Sequence, residues 1–159
     1  YTISPASTGT VSGTITVVGL DFLSIPSWVK RITVMFNGVS TSGTSNILIQ
    51  FGTSGGIDNS GYLGSVSTTG NASAGAAANF SAGFTLFASA AAISHGSYIF
   101  SLMGSNLWAG FGLFGRSDTT NTTQTAGSKS LSGTLDRVVI TTVNGTDTFT
   151  NGSINILYE

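Results

Sequence analysis

Apolar and polar residues alternate at every second position through much of this chain, and that period restricts it to pleated strands rather than helices. In Lys30-Arg31-Ile32-Thr33-Val34-Met35-Phe36, the residues Ile32, Val34 and Phe36 share one face. Tyr98, Phe100 and Leu102 share another, and Leu107, Ala109, Phe111 and Leu113 alternate with Trp108, Gly110, Gly112 and Phe114. The glycines in that last run predict a bulge, a bend or a close approach of backbones. Asn46 to Phe51 is a short apolar run, and Phe80, Ala82, Phe84 and Leu86 read as one face of a further strand. Strands are also expected near Val11 to Val18 and Tyr62 to Ser67. At the C-terminal end, Asn144-Gly145 and Asn151-Gly152 separate three β-rich segments, Leu135–Val143, Thr146–Thr150 and Ser153–Tyr158. Asn-Gly suits a two-residue type I′ turn, so this quarter reads as an antiparallel meander. Helix is scarce, with Phe87 to Ser94 offering two turns at most or else a loop, and Thr119 to Gly127 reads as a polar loop. The expected fold is all-β, an antiparallel sandwich or jelly roll formed as a single domain over residues 1–159, with 1–20 as a connection to whatever precedes.

Charge is the unusual part of the composition. Five Lys or Arg and six Asp or Glu make 7% of the 159 residues, against about 25% in ordinary soluble domains. None falls between Asp58 and Arg116. A net charge of −1 offers no basic footprint for nucleic acid, and the absence of cysteine removes disulfides and thiolate metal sites. The most apolar window, Ala82 to Phe100, is broken by Ser89, Ser94, His95, Gly96 and Ser97 and lacks close basic flanks, so no membrane-embedded helix is expected. A solitary sandwich guards its edges with Lys, Glu or Pro, and this chain has two, one and two of these. Its apolar surface is therefore expected to meet copies of itself.

Signs of catalysis are weak. His95 is the single histidine, no Gly-x-Ser-x-Gly elbow occurs, and Asp58, Asp118, Asp136 and Asp147 form no suggestive pair. Asp58-Asn59 lacks the Asp-x-Asp array of a calcium loop, and Gly110-Phe111-Gly112 lacks the Lys-Ser/Thr of a phosphate cradle. No enzyme activity, cofactor or metal is expected. Aromatic residues are the better lead: Trp28, Trp108, Tyr62 and Tyr98 could stack on sugar rings, although core packing explains them as well. Tyr62 beside Asp58 and Asn59, together with Trp108, make the candidate ligand-binding residues. Asp136 and Arg137 adjoin in an apolar strand and should point to opposite faces, so Asp136 is expected to pair with Arg31 or Lys30.

Several blocks carry a resemblance. Ile25-Pro26-Ser27-Trp28-Val29-Lys30-Arg31-Ile32-Thr33-Val34-Met35-Phe36 with Gly38 to Thr41, and Gln50 to Tyr62 around Gly52-Thr53-Ser54-Gly55-Gly56-Ile57, form two of them. Gly127 to Ser132, Leu135 to Val138, Ile140 to Val143, Gly145 to Phe149 and Gly152 to Glu159 form the rest. Together they cover about half the chain, and the stretch Thr68 to Gly96 matches least. They resemble the C-terminal module of tail-fibre, receptor-binding proteins of tailed bacteriophages and prophages. That resemblance implies a homotrimeric β-structure at the fibre tip of a virion, closing a longer polypeptide and contacting a glycan or an outer-membrane receptor on the host. It also implies a packing role for Trp28 and Trp108, and transfers no catalytic residue. The alternatives are a purely structural trimerisation cap, a depolymerase fragment, and a carbohydrate-binding module of a secreted enzyme.

Overall fold

The computed structural model describes residues 19–159 except 71–75, 89 and 91. The expected strand at Val11 to Val18, and most of the proposed connection 1–20, lie outside the described residues. Twelve strands are described: β1 (Leu20–Phe22), β2 (Arg31–Thr41), β3 (Ile47–Thr53), β4 (Gly56–Ile57), β5 (Tyr62–Thr69), β6 (Ala77–Phe80), β7 (Phe84–Leu86), β8 (Ser94–Gly104), β9 (Leu107–Arg116), β10 (Thr122–Ser130), β11 (Arg137–Thr142) and β12 (Phe149–Tyr158). All pairings are antiparallel. A seven-stranded sheet runs β12-β2-β8-β9-β10-β5-β6, and a five-stranded sheet runs β1-β11-β3-β4 with β7 also on β3. The two pack as a sandwich, as the alternation predicts. No helix among the described residues is long and apolar enough to cross a membrane.

The core lies between the sheets. Ile32, Val34, Tyr98, Phe100, Trp108 and Phe114 reach it from the long sheet, and Ile47, Ile49, Phe51, Phe84, Val138 and Ile140 from the short one. Phe51 sits edge-on to Phe84, Phe100 and Trp108 with centroids 4.8–5.8 Å apart, a favoured aromatic geometry. The glycines of β9 prove to be sites of close approach. Tyr98 and Phe100 stack face to face, centroids 4.2 Å apart, opposite Gly112 and Gly110. A Cβ at Gly112 would lie 2.8 Å from the Tyr98 ring, and one at Gly110 2.6 Å from the Phe100 ring.

Four sequence expectations need correction. The C-terminal quarter is not a meander. β11 and β12 belong to different sheets, and Asn151-Gly152 is a bulge inside β12 rather than a turn. Gly152, at φ +86°, lies against Gly38 of β2, itself at φ +66° beside the irregularity in the β2–β8 pairing. Asn144-Gly145 does turn the chain, with Gly145 N–H donating to the Thr142 carbonyl. Positive φ at two central residues occurs instead at Ser105-Asn106, which join β8 to β9. Phe80 and Phe84 do not share a strand, because residues 81–83 carry the chain from one sheet to the other. The expected loop Thr119 to Gly127 is largely strand β10, held between β9 and β5.

Candidate functional site

One end of the sandwich gathers the loops 23–30, 54–55, 58–61, 105–106 and 131–136 together with Glu159. Antiparallel registry dictates this: β2, β5, β9, β11 and β4 begin there, and β1, β3, β8, β10 and β12 finish there. Lys30, Arg31, Asp58, Lys129, Asp136, Arg137 and Glu159 all lie at this end, so most of the few charges of the chain are concentrated in it.

The residues singled out from sequence fall here, but their chemistry is structural. Tyr62 is 1% exposed. Its hydroxyl accepts the Phe51 N–H at 2.6 Å and donates to the Asp58 carbonyl at 2.9 Å. Burial pushes the phenol pKa well above its ordinary value. Lys129 is buried too, pairing with Asp58 at 3.1 Å and donating to the Ser60 carbonyl at 2.8 Å, with its ammonium 5.1 Å from the centre of the Tyr62 ring. Asp58 and Tyr62 thus pin the 58–61 loop onto β10, leaving Asn59 exposed. Trp108 is 2% exposed and packs on Phe51. Both side chains are almost sealed from solvent, which argues against their reading as open sugar platforms, although Trp108 lines a cleft of about 70 Å³ with Ser27, Lys30, Asn106 and Thr134. Tyr98 is likewise buried.

The expected Asp136–Arg31 pair does not form. Asp136 accepts from its neighbour Arg137 at 2.6 and 3.0 Å, and Arg31 pairs with Glu159 at 3.8 Å. Asp136 precedes β11 in the short sheet and Arg31 opens β2 in the long one, so about 10 Å of sandwich separates their strands. His95, at the other end, is also structural. Its Nδ1 accepts the Gly38 N–H at 3.2 Å and its Nε2 lies 3.1 Å from the Ser117 hydroxyl. Among the described residues no three His, Asp or Glu side chains gather closely enough to hold a metal ion.

Trp28, which the sequence left open between sugar stacking and packing and for which the tail-fibre resemblance implied packing, is 51% exposed. It sits on the 23–30 loop with Tyr158 at 6.0 Å and a tilt of 59°. A second exposed feature covers the outer face of the long sheet. Leu63, Phe111 and Leu113 stand 70%, 61% and 59% exposed. Arg31, at one end, is the single charge among the outward positions of the seven strands. Beside the Phe111–Leu113 ridge runs a shallow groove over β10, floored by the small side chains of Ala126, Ser65 and Ser67. The alternation in β9 showed that one face would carry Phe111 and Leu113, but nothing local revealed that this was the outer face. No family model matches the chain, and no curated protein or solved structure is measurably similar to it.

Proposed function

We propose that the chain is the terminal module of a phage tail fibre, trimerising through the outer face of its long sheet and binding a host surface glycan without chemistry. The observation that carries the reading is that face: broad, uncharged except at one end, and carrying the exposed apolar side chains Leu63, Leu107, Phe111 and Leu113 among Ser, Thr and Gln. Four strands at about 4.8 Å spacing and roughly 30 Å length give a footprint near 600 Å². Side-chain relief brings this close to the ~800 Å² per partner of a stable interface. A ridge next to a groove on one face suits a head-to-tail contact, ridge of one copy into groove of the next, and such contacts close into rings. The tail-fibre resemblance of the Ile25–Phe36, Gln50–Tyr62 and Gly127–Glu159 blocks supplies the biological setting. Three copies would multiply a weak receptor contact through effective concentration.

Sedimentation equilibrium of the chain tests the assembly, and binding to immobilised bacterial polysaccharides tests the receptor. The expected mass is three times the 16.1 kDa of one chain. A single chain at micromolar concentration overturns the trimer, and a trimer indifferent to every polysaccharide leaves the structural cap as the better reading.

A further inference from the structure

We infer that the cleft between Lys30, Asn106 and Trp108, at the loop-bearing end of the sandwich, is a subsite for one carboxylate group of an acidic glycan, such as a hexuronic or sialic acid unit. The inference rests on the glycan-binding reading above and gives that reading a ligand class and a place.

Strand register brings the parts together. Lys30 shares the inward face of Ile32, two residues on, and its carbonyl accepts the Leu102 N–H at 2.8 Å. Leu102 in turn pairs with Trp108. The three form one row across the inner face of the long sheet, at the mouth of the sandwich. A cleft of about 70 Å³ is bounded by this row, by Asn106 of the β8–β9 turn, and by Ser27 and Thr134 of two facing loops.

The polar groups around it are unspent. Among the described residues Lys30 is the one Lys or Arg without an ion pair, since Arg31, Arg116, Lys129 and Arg137 each hold a carboxylate. The side chains of Ser27, Asn106 and Thr134 make no hydrogen bond to a described residue either. Trp108 is the more telling case. It is 2% exposed, its indole N–H has no acceptor among the described residues, and that nitrogen is not sealed from solvent. A buried indole N–H ordinarily finds a partner, and the cleft that the ring lines is where an outside acceptor can reach it. The lining is rich in donors, carries one positive charge and includes no Asp or Glu, so it suits a singly charged anion. Its volume is about that of two waters at ~30 Å³ each, enough for a carboxylate projecting from a sugar ring. A phosphodiester, with substituents on both sides, does not fit a cleft of that size. Because the row faces inward, assembly through the outer face of the long sheet leaves the mouth open.

The test titrates the chain with uronic acid and sialic acid oligosaccharides beside their methyl esters, which lack only the charge at the carboxyl, and with neutral oligosaccharides. The expected result is binding of an acid, with affinity lower by about tenfold for its ester and in Lys30→Met. Lys30→Arg should restore part of the loss, and added salt should weaken binding, since Lys30 is exposed. The Trp108 indole N–H resonance, told from that of Trp28 by Trp28→Phe, should shift with the acid and stay in place with the ester. The sedimenting mass and the unfolding midpoint of Lys30→Met should match those of the wild type. Esters or neutral sugars bound as tightly as the acids, or equal binding by Lys30→Met and wild type, overturn this subsite while the glycan-binding reading stands. A Trp108 resonance indifferent to the bound acid also overturns it, as does a changed mass in Lys30→Met, which assigns Lys30 to a subunit contact. Wild-type protein that binds no sugar of any kind overturns both readings.

Discussion

At the residue scale, the few ionic and phenolic groups act as fasteners. Tyr62 is the clearest: its hydroxyl is the acceptor for a buried backbone N–H of β3. Tyr62→Phe strands that donor, and thermal or urea unfolding should show a loss of about 1–3 kcal/mol. Lys129→Met removes the buried ammonium but leaves Asp58 partly in water, so its cost should be smaller than that of breaking a fully buried pair. At the opposite end, the Arg116 guanidinium holds the Asp118 carboxyl at about 2, below its ordinary 3.8, with the Ile93 N–H assisting. The Asn144 amide, then the Ser45 N–H, lower Asp147 in the same direction. A carboxyl whose pKa is depressed by folding stabilises the fold above pH ~4, and that contribution is lost as the pH falls towards 2. Asp118→Asn should therefore flatten the acid limb of a stability-against-pH curve between about 4 and 2. Because the group is at the surface, stability at pH 7 should change by less than about 1 kcal/mol. Trp28 shows the limit of reading residues singly: its exposure depends on a loop whose path no local pattern encodes.

At the scale of elements, strands were legible and their partners were not. β2, β8 and β9 follow the period-two pattern through their central residues, because each has one face on the core and one outside it, whereas β3, an apolar run in sequence, is buried at nearly every position. The two Asn-Gly pairs look alike in sequence but differ in space. Gly145, at φ +65°, has open space around it, whereas Gly152 is pressed onto the backbone of β2. Gly145→Ala should cost about 1 kcal/mol, the price of a left-handed conformation alone. Gly152→Ala should cost clearly more, since the bulge must also move away from Gly38. Equal costs in paired denaturation curves would contradict the bulge assignment. Gly112→Ala should likewise destabilise by about 1–3 kcal/mol by displacing the Tyr98 ring.

At the scale of the whole molecule, the distribution of charge is the organising fact. Ions sit at the two ends and on the short-sheet edge strand, and the broad face between the ends has almost none. Phe111→Ser combined with Leu113→Ser touches no core contact, so the far-UV spectrum should persist while the sedimenting mass falls to that of one chain. An unchanged mass would place the subunit contact elsewhere. By itself the sequence determined the all-β class, the inward and outward sets along each long strand, and the scarcity of ions that makes self-association expected, because all three follow from local period and composition. Only the tertiary structure decided which sheet each strand joins, that Tyr62 and Trp108 are buried while Trp28 is not, and that Asp136 turns to Arg137 and Arg31 to Glu159. Those outcomes depend on pairings between segments as many as 128 residues apart, and no local period carries information about partners at that distance.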